Sequence, residues 1–358
     1  MFLVGGKSYK ELFVNQDSMF YAGRTDCGLK RATNQDHYLI ADLSRSLRVE
    51  STSMNLDTPS RLCGGPLCQL FLVADGMGGH QAGNRASELA INYFVASLLN
   101  SVRWILQPDS GSEQRFLSDL KDILISAHQA IVADSNSQSK YKGMGTTLTA
   151  AYLVWPTMWI VHAGDTRCYL YRNQELRQLT RDHTMANQLL EQGAIAPEEA
   201  SKSHWANILW NALGAGAKEV IADIYKADLI AGDRILLCSD GLNKHIDDKT
   251  ICMVLQETCD ADEACKRLID LANESGGTDN ITTIVINCVS PPHRRLLATV
   301  TPTVEIEPIM EDLDRFDSRS SDQSTVDSVD PSLGKQPTES PRKNDDDDQP
   351  SEVDTIDF

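Results

Sequence analysis

Five aspartates share one local setting. Asp36 in Asn-Gln-Asp, Asp75 in Ala-Asp-Gly, Asp165 in Gly-Asp-Thr, Asp240 in Ser-Asp-Gly and Asp279 in Thr-Asp-Asn each lie beside an apolar run, next to small or turn-forming residues. One aspartate in such a place is usually an N-cap or a turn former. Five in one chain ask for another account. If the runs are strands side by side, their ends converge, and the carboxylates cannot all stay ionised without a cation. An oxygen-only ligand set, lacking His and Cys, suits a hard octahedral ion, Mg²⁺ or Mn²⁺, rather than zinc. Two such ions about 3.5–4 Å apart can share a water and ionise it, an arrangement fit for attack on phosphorus. Arg31, shortly before Asp36, is then the natural phosphate clamp, because a guanidinium binds phosphate oxygens bidentately. Taken alone it is a surface cation beside Lys30.

The elements that must carry these acids can be read along the chain. Phe71-Leu72-Val73-Ala74 is a buried strand that stops at Asp75, and Gly76, Gly78 and Gly79 let the main chain turn and a ligand approach. Ile235-Leu236-Leu237-Cys238 repeats the device before Asp240. Phe20 to Asp26, His37 to Leu43 and Asn280 to Val289 also read as strands, and so do Val220 to Ala227 and Arg234 to Cys238. Ser44 to Cys68 lacks periodicity and reads as a surface excursion between two strands.

Asn84 to Leu99 and Glu113 to Asp134 show helical spacing and are joined by a break at Trp104 to Ser112, which suggests an antiparallel pair covering a sheet. Three strand-like runs follow from Gly145 at short spacing and predict an antiparallel meander. Thr184 to Gln192 is a short helix with Gly193 as its stop, and Ala196 to Ala217 is irregular. Together, 184–217 reads as a flap-like insertion. Asp247 to Thr258 and Ala261 to Ser275 are helices, the second closed by Gly276-Gly277.

Composition narrows the class. A chain of 358 residues, 41% hydrophobic, can bury a large core. A net charge of −18 argues against binding nucleic acid through phosphates. Nine scattered cysteines without a CxxC pair read as reduced thiols, although Cys63 and Cys68 flank a Gly-Gly-Pro turn and could pair. The N-terminus lacks a signal peptide pattern, and no apolar run reaches the roughly 18–20 residues needed to span a bilayer, so a soluble cytoplasmic protein is expected. Residues 1–19 read as an extension, 20–290 as the folded domain, and 291–358 as an acidic disordered tail. That tail carries more than half of the net charge. Its serines among acids could serve docking or phosphorylation, or the tail could simply solubilise.

The order of the motifs RATNQD, VADGMGGHQAG, GMGTTLTAAYL, HAGDTRCYLYR, LTRDHT, LLCSDGL and GGTDNIT resembles the bacterial form of the type 2C metal-dependent serine/threonine phosphatases. Each motif alone is weak, but seven in order, from about Tyr21 to Val289, make a specific pattern. The resemblance implies an α+β fold, a four-layer αββα sandwich of two antiparallel sheets flanked by helix pairs. It implies hydrolysis of phosphoserine and phosphothreonine on proteins with two or three Mn²⁺ or Mg²⁺ ions, by direct attack of a bridging hydroxide. Asp75 would bridge two metals, with the Gly76 carbonyl on one of them. Asp240 and Asp279 would complete the other shell, Asp36 would act through metal-bound water, and Asp165 with Asp240 would hold a third ion. Arg31 would bind the substrate phosphate. Phosphoprotein substrates and a serine/threonine protein kinase would be the partners, with neither nucleic acid nor membrane, and the chain would be a monomer.

Two departures from the family pattern bear on chemistry. Gln35 stands where many members carry Glu, and its amide oxygen can still accept a hydrogen bond. Met77 stands where many eukaryotic members have a His proposed as general acid, and Met cannot transfer protons. His80 is a candidate donor, though a structural role suits it better. His162, in an alternating strand, reads as a satisfied core histidine, and His183 as a turn or flap anchor. Two rival functions are a catalytically dead binding module and a dimetal hydrolase of another phosphate ester. No Cys-x5-Arg phosphate loop is present, against thiol-based phosphatases.

Overall fold

In a computed structural model, residues 19–48, 61–100, 113–196, 199, 203–289 and 354–355 are described. The expectations for residues 1–18, for the break at Trp104 to Ser112 and for nearly all of the acidic tail lie outside these residues.

The hydrophobic alternation builds three layers of core. Strand β3 (Arg61–Met77) carries the apolar run read from the sequence. Its even positions Leu70 and Leu72 face one way and pack with helices α1 (His80–Asn100) and α2 (Glu113–Ser137). Its odd positions Phe71 and Val73 face the other way and meet Ile235, Leu237, Ile284 and Ile286 of a second sheet. A strand buried on both faces reads as a continuous apolar run, because successive side chains alternate sides. The far face of the second sheet, with Leu236, Cys238 and Val285, packs on α5 (Asp248–Glu257) and α6 (Ala261–Glu274). Helix pair, sheet, sheet and helix pair form the four-layer α+β sandwich.

One sheet orders β1 (Met19–Asp26), β12 (Ile281–Cys288), β11 (Arg234–Cys238), β7 (Arg167–Arg172) and β8 (Glu175–Gln178), all antiparallel. The other runs through β10 (Asp223–Asp228), β6 (Thr157–Ala163), β5 (Leu148–Val154) and β3, with β2 (Asp36–Arg48) paired to β3. Short strands β4 (Gly145–Thr146) and β9 (Leu213–Gly214) extend it beside the end of β3, and β13 (Asp354–Thr355) adds in parallel to β10.

Two expectations are corrected. The three-stranded meander is broken: β5 and β6 pair, but after Gly164 the chain crosses to the other sheet, where β7 pairs with β11 and β8. Gly164, at φ 121°, makes that crossing, and a Cβ there would lie 2.5 Å from Thr147. The excursion at Ser44 to Cys68 is in part a ribbon. Strands β2 and β3 continue their ladder outward through Ser46↔Cys63 to Arg48↔Arg61, past two register shifts. The extension is a backbone ladder, and the sequence there shows no hydrophobic periodicity that would mark it.

Helix ends follow local chemistry. Thr184 caps α3 (Met185–Glu191), Asp247 caps α5 and Asp260 caps α6, each side chain accepting from a backbone N–H. Among the described residues no helix is long and apolar enough to cross a membrane, and the described cysteines Cys27, Cys68, Cys168, Cys238, Cys252, Cys259, Cys265 and Cys288 are free thiols.

Candidate metal and phosphate centre

The five aspartates meet where ends of both sheets come together. Asp36 opens β2 and is the register partner of Asp75 on β3. Asp165 lies in the crossing between β6 and β7. Asp240 begins the four-residue helix α4 (Asp240–Asn243) after β11, and Asp279 stands just before β12. Asp75, Asp165, Asp240 and Asp279 line a cleft of about 900 Å³ together with Arg31 and Lys244. Asp36 lies behind it, 2% exposed.

The backbone fixes each acid. The Asp75 N–H donates to Thr147 Oγ1 at 3.0 Å, and its carbonyl accepts from the Thr147 N–H and the Thr146 hydroxyl. Gly76 is required by close approach, since a Cβ there would fall 2.2 Å from the Gly83 carbonyl oxygen. Gly241 is required likewise, its Cβ meeting the Asn280 carbonyl at 2.0 Å. Asn280 staples the loop that carries Arg31: its amide donates to the carbonyls of Cys27 and Thr33 and its oxygen accepts from the Gln35 N–H. The Gln35 side chain donates to the Gly79 carbonyl at 3.4 Å.

The charges are set against one another. Burial, then the fields of Asp240 and Asp279, push the Asp36 carboxyl up to about 7, although the Thr282 hydroxyl donates to it at 2.8 Å. Asp75 is raised well above the carboxylate range by desolvation and by Asp36, Asp240, Asp165 and Asp279. Asp165 is raised by burial, then by Asp240 and Asp182. Asp279 goes the other way. Desolvation opposes its ionisation, but the Arg31 guanidinium and the Lys244 ammonium outweigh that. Arg31 grips it with Nε at 2.8 Å and a second nitrogen at 2.9 Å, and Lys244 Nζ lies 3.1 Å away. Lys244 also pairs with Asp240.

This donor set fits a hard divalent cation. Asp36 Oδ1 and Asp240 Oδ1 are buried without a hydrogen-bond partner among the described residues, an expensive condition that a cation would relieve. As the side chains stand, no group of three or more His, Cys, Asp or Glu among the described residues is arranged to hold a metal ion. Lys244 engages both Asp240 and Asp279. A hard ion needs only one or two carboxylates, with waters filling its remaining positions.

Each of the acids anticipated from sequence thus reaches this centre, and Arg31 reaches its mouth. His162 is a satisfied core group: Thr149 Oγ1 lies 2.9 Å from Nδ1, and Nε2 faces the Arg181 carbonyl at 2.9 Å. His183 joins three segments. Its Nδ1 faces the Gly164 N–H at 3.1 Å and the Asn211 amide at 2.8 Å, which leaves Nε2 to donate to Asp223 at 3.0 Å. Its carbonyl accepts from the Trp210 N–H. The same imidazole thereby ties the Asp165 crossing to the segment that contributes Ile208, Trp210 and Ala215 to the cleft.

Sequence reasoning passed over Lys244, Asn280 and Thr147. Lys244 follows Asp240 by four residues, a pairing distance on a helix, and that spacing was the available signal. The side chain of His80, at the start of α1, lies outside the described residues.

Comparisons with known proteins agree with this geometry. The family profile described as Protein phosphatase 2C matches residues 53–282. The chain is 35% identical over 269 residues to the serine/threonine protein phosphatase PstP of Mycobacterium tuberculosis, covering 75% of this chain and 45% of that protein. It thus spans less than half the length of that relative. It is 36% identical to the serine/threonine phosphatase stp of Listeria monocytogenes, over 61% of this chain and 83% of that one. Its fold is similar to the catalytic domain of PstP solved in complex with 2 manganese ions, with a TM-score of 0.58, 34% identity, and coverage of 76% of this chain and 99% of that chain. Fold, acidic centre and sequence similarity together make this chain a member of the protein phosphatase 2C family.

Proposed function

We propose that the protein removes phosphate from phosphoserine and phosphothreonine in protein substrates with the help of Mn²⁺ or Mg²⁺. The observation that carries this reading is the convergence of Asp75, Asp165, Asp240 and Asp279 beside Arg31 in one cleft, with Asp36 buried behind it. Asp75, the Gly76 carbonyl, Asp165, Asp240 and Asp279 would hold the ions. When bound, the ions would supply an ionised water as the nucleophile.

The protein's own groups do the rest. Arg31 binds the phosphoryl oxygens with its paired N–H donors, and its ion pair with Asp279 holds the guanidinium at the cleft mouth beforehand. Buried Asp36 is held in place by the Thr282 hydroxyl and would hold an ion through its bound water. Trp210 and Ile208 form an apolar wall on which residues flanking the phosphoserine rest. Met77 lines the same cleft and cannot protonate the leaving alkoxide, so that proton comes from water or from another group. The partners are phosphoproteins and the kinase that phosphorylates them, in the cytoplasm, and the chain acts as a monomer.

The test is hydrolysis of a phosphothreonine peptide with Mn²⁺, with EDTA, and by the Asp75→Ala variant. Turnover is expected only for the unaltered chain with metal. Activity that survives chelation or the substitution overturns the reading.

A further inference from the structure

We infer that Lys244 sets the affinity of the centre for its divalent ions, as a tethered cation that shares Asp240 and Asp279 with them. The inference rests on the metal reading proposed above and goes beyond it by naming a residue that opposes the ion. Lys244 follows the last turn of α4, one helical turn after Asp240. Its ammonium reaches Asp240 Oδ2 and Asp279 Oδ2, two carboxylates far apart in the sequence. The side chain is 29% exposed and lines the cleft, so it stands inside the centre and not on the outer surface.

Lys244 and Arg31 divide the work differently. Arg31 approaches Asp279 alone among these acids, with two of its donors, and more than half of its side chain remains in solvent at the mouth. A phosphate can recruit it without disturbing Asp240. Lys244 joins the two acids expected to share one ion, and an ammonium is a compact point charge on a flexible stem. An incoming ion must therefore share these carboxylates with the ammonium or displace it. That competition weakens ion binding, and the same cation relieves the repulsion among the acids when the ion leaves.

The experiment is calorimetric titration of Mn²⁺ into the full chain, the Lys244→Met and Lys244→Gln variants, the charge-retaining Lys244→Arg variant and Asp279→Asn. Melting in EDTA and in Mn²⁺ is recorded for each. Removing a unit charge a few ångströms from a divalent ion is expected to tighten Mn²⁺ about tenfold or more in Lys244→Met and Lys244→Gln. Both should melt lower than the unaltered chain in EDTA and gain more on adding Mn²⁺. Lys244→Arg should stay close to the unaltered chain, and Asp279→Asn should bind more weakly. If Asp279→Asn weakens Mn²⁺ while neither neutral variant tightens it, Lys244 has no such role and the metal reading stands. If the unaltered chain binds no Mn²⁺, both fall. The two neutral variants guard against a failure of either one to fold.

Discussion

Asp36 and Asp75 stand directly opposite each other in the β2–β3 ladder. Both carboxyls are held above their ordinary range, Asp36 at about 7, by withdrawal from water and by neighbouring acids. A raised carboxyl binds its proton more tightly in the folded chain than in the unfolded one, so stability falls as pH rises toward and through the folded pKa. In EDTA the melting temperature is therefore expected to fall between pH 6.5 and 8. Below that window the buried His162, lowered to about 3, works in the opposite direction. Saturating Mn²⁺ should flatten the fall. A melting temperature in EDTA that rises across pH 6.5–8 would contradict the carboxyl account.

Thr147 gives a test of positioning apart from ligation. Its hydroxyl accepts the Asp75 N–H, and Thr147→Val keeps the shape but removes that acceptor. Loss of one buried hydrogen bond, with a donor left unsatisfied, costs about 1–3 kcal/mol. Denaturant unfolding should show a loss of that size, and phosphopeptide turnover should fall while the Asp75 carboxylate remains present.

Gly76→Ala should be far worse than its size suggests. The new methyl would enter the space of the Gly83 carbonyl, at a point where strand β3 and helix α1 touch through backbone. Overpacking of this kind typically costs about 1–3 kcal/mol, and the rigid backbone neighbour places it at the upper end. Urea unfolding measures the cost, and Mn²⁺ titration should show weakened binding as well.

His183→Ala separates the segment around Asn211 from the Asp165 crossing. The variant loses the contacts to Gly164, Asn211 and Asp223 at a fully buried position. A destabilisation of about 2–4 kcal/mol is expected from the lost hydrogen bonds and the cavity. Faster amide exchange should appear in residues 208–213. Exchange unchanged there would deny the anchoring role.

What could be read from the chain depended on how many faces of an element are buried. Phe71-Leu72-Val73-Ala74 and Ile235-Leu236-Leu237-Cys238 stand between two packed layers and declare themselves as strands. The aspartates that end or follow such runs were legible with them. The crossing after Gly164 was not, because β6 and β7 carry similar apolar patterns in different sheets and nothing local states which partner a strand takes. The β2–β3 ribbon was missed for lack of any periodic pattern. Lys244 escaped because α4 is four residues long, too short to show a helical period, and its pairing depends on Asp279 from a distant element.

The centre draws its acids from both halves of the sandwich. Asp36 and Asp75 belong to strands of one sheet, whereas Asp240 and Asp279 flank strands β11 and β12 of the other. An ion held by both sets would act as a cross-link, closing a long loop of chain at one edge of the fold. Metal occupancy would then govern how far the two sheets breathe apart there, so that the supply of a small inorganic ion sets mechanical compliance as well as reactivity.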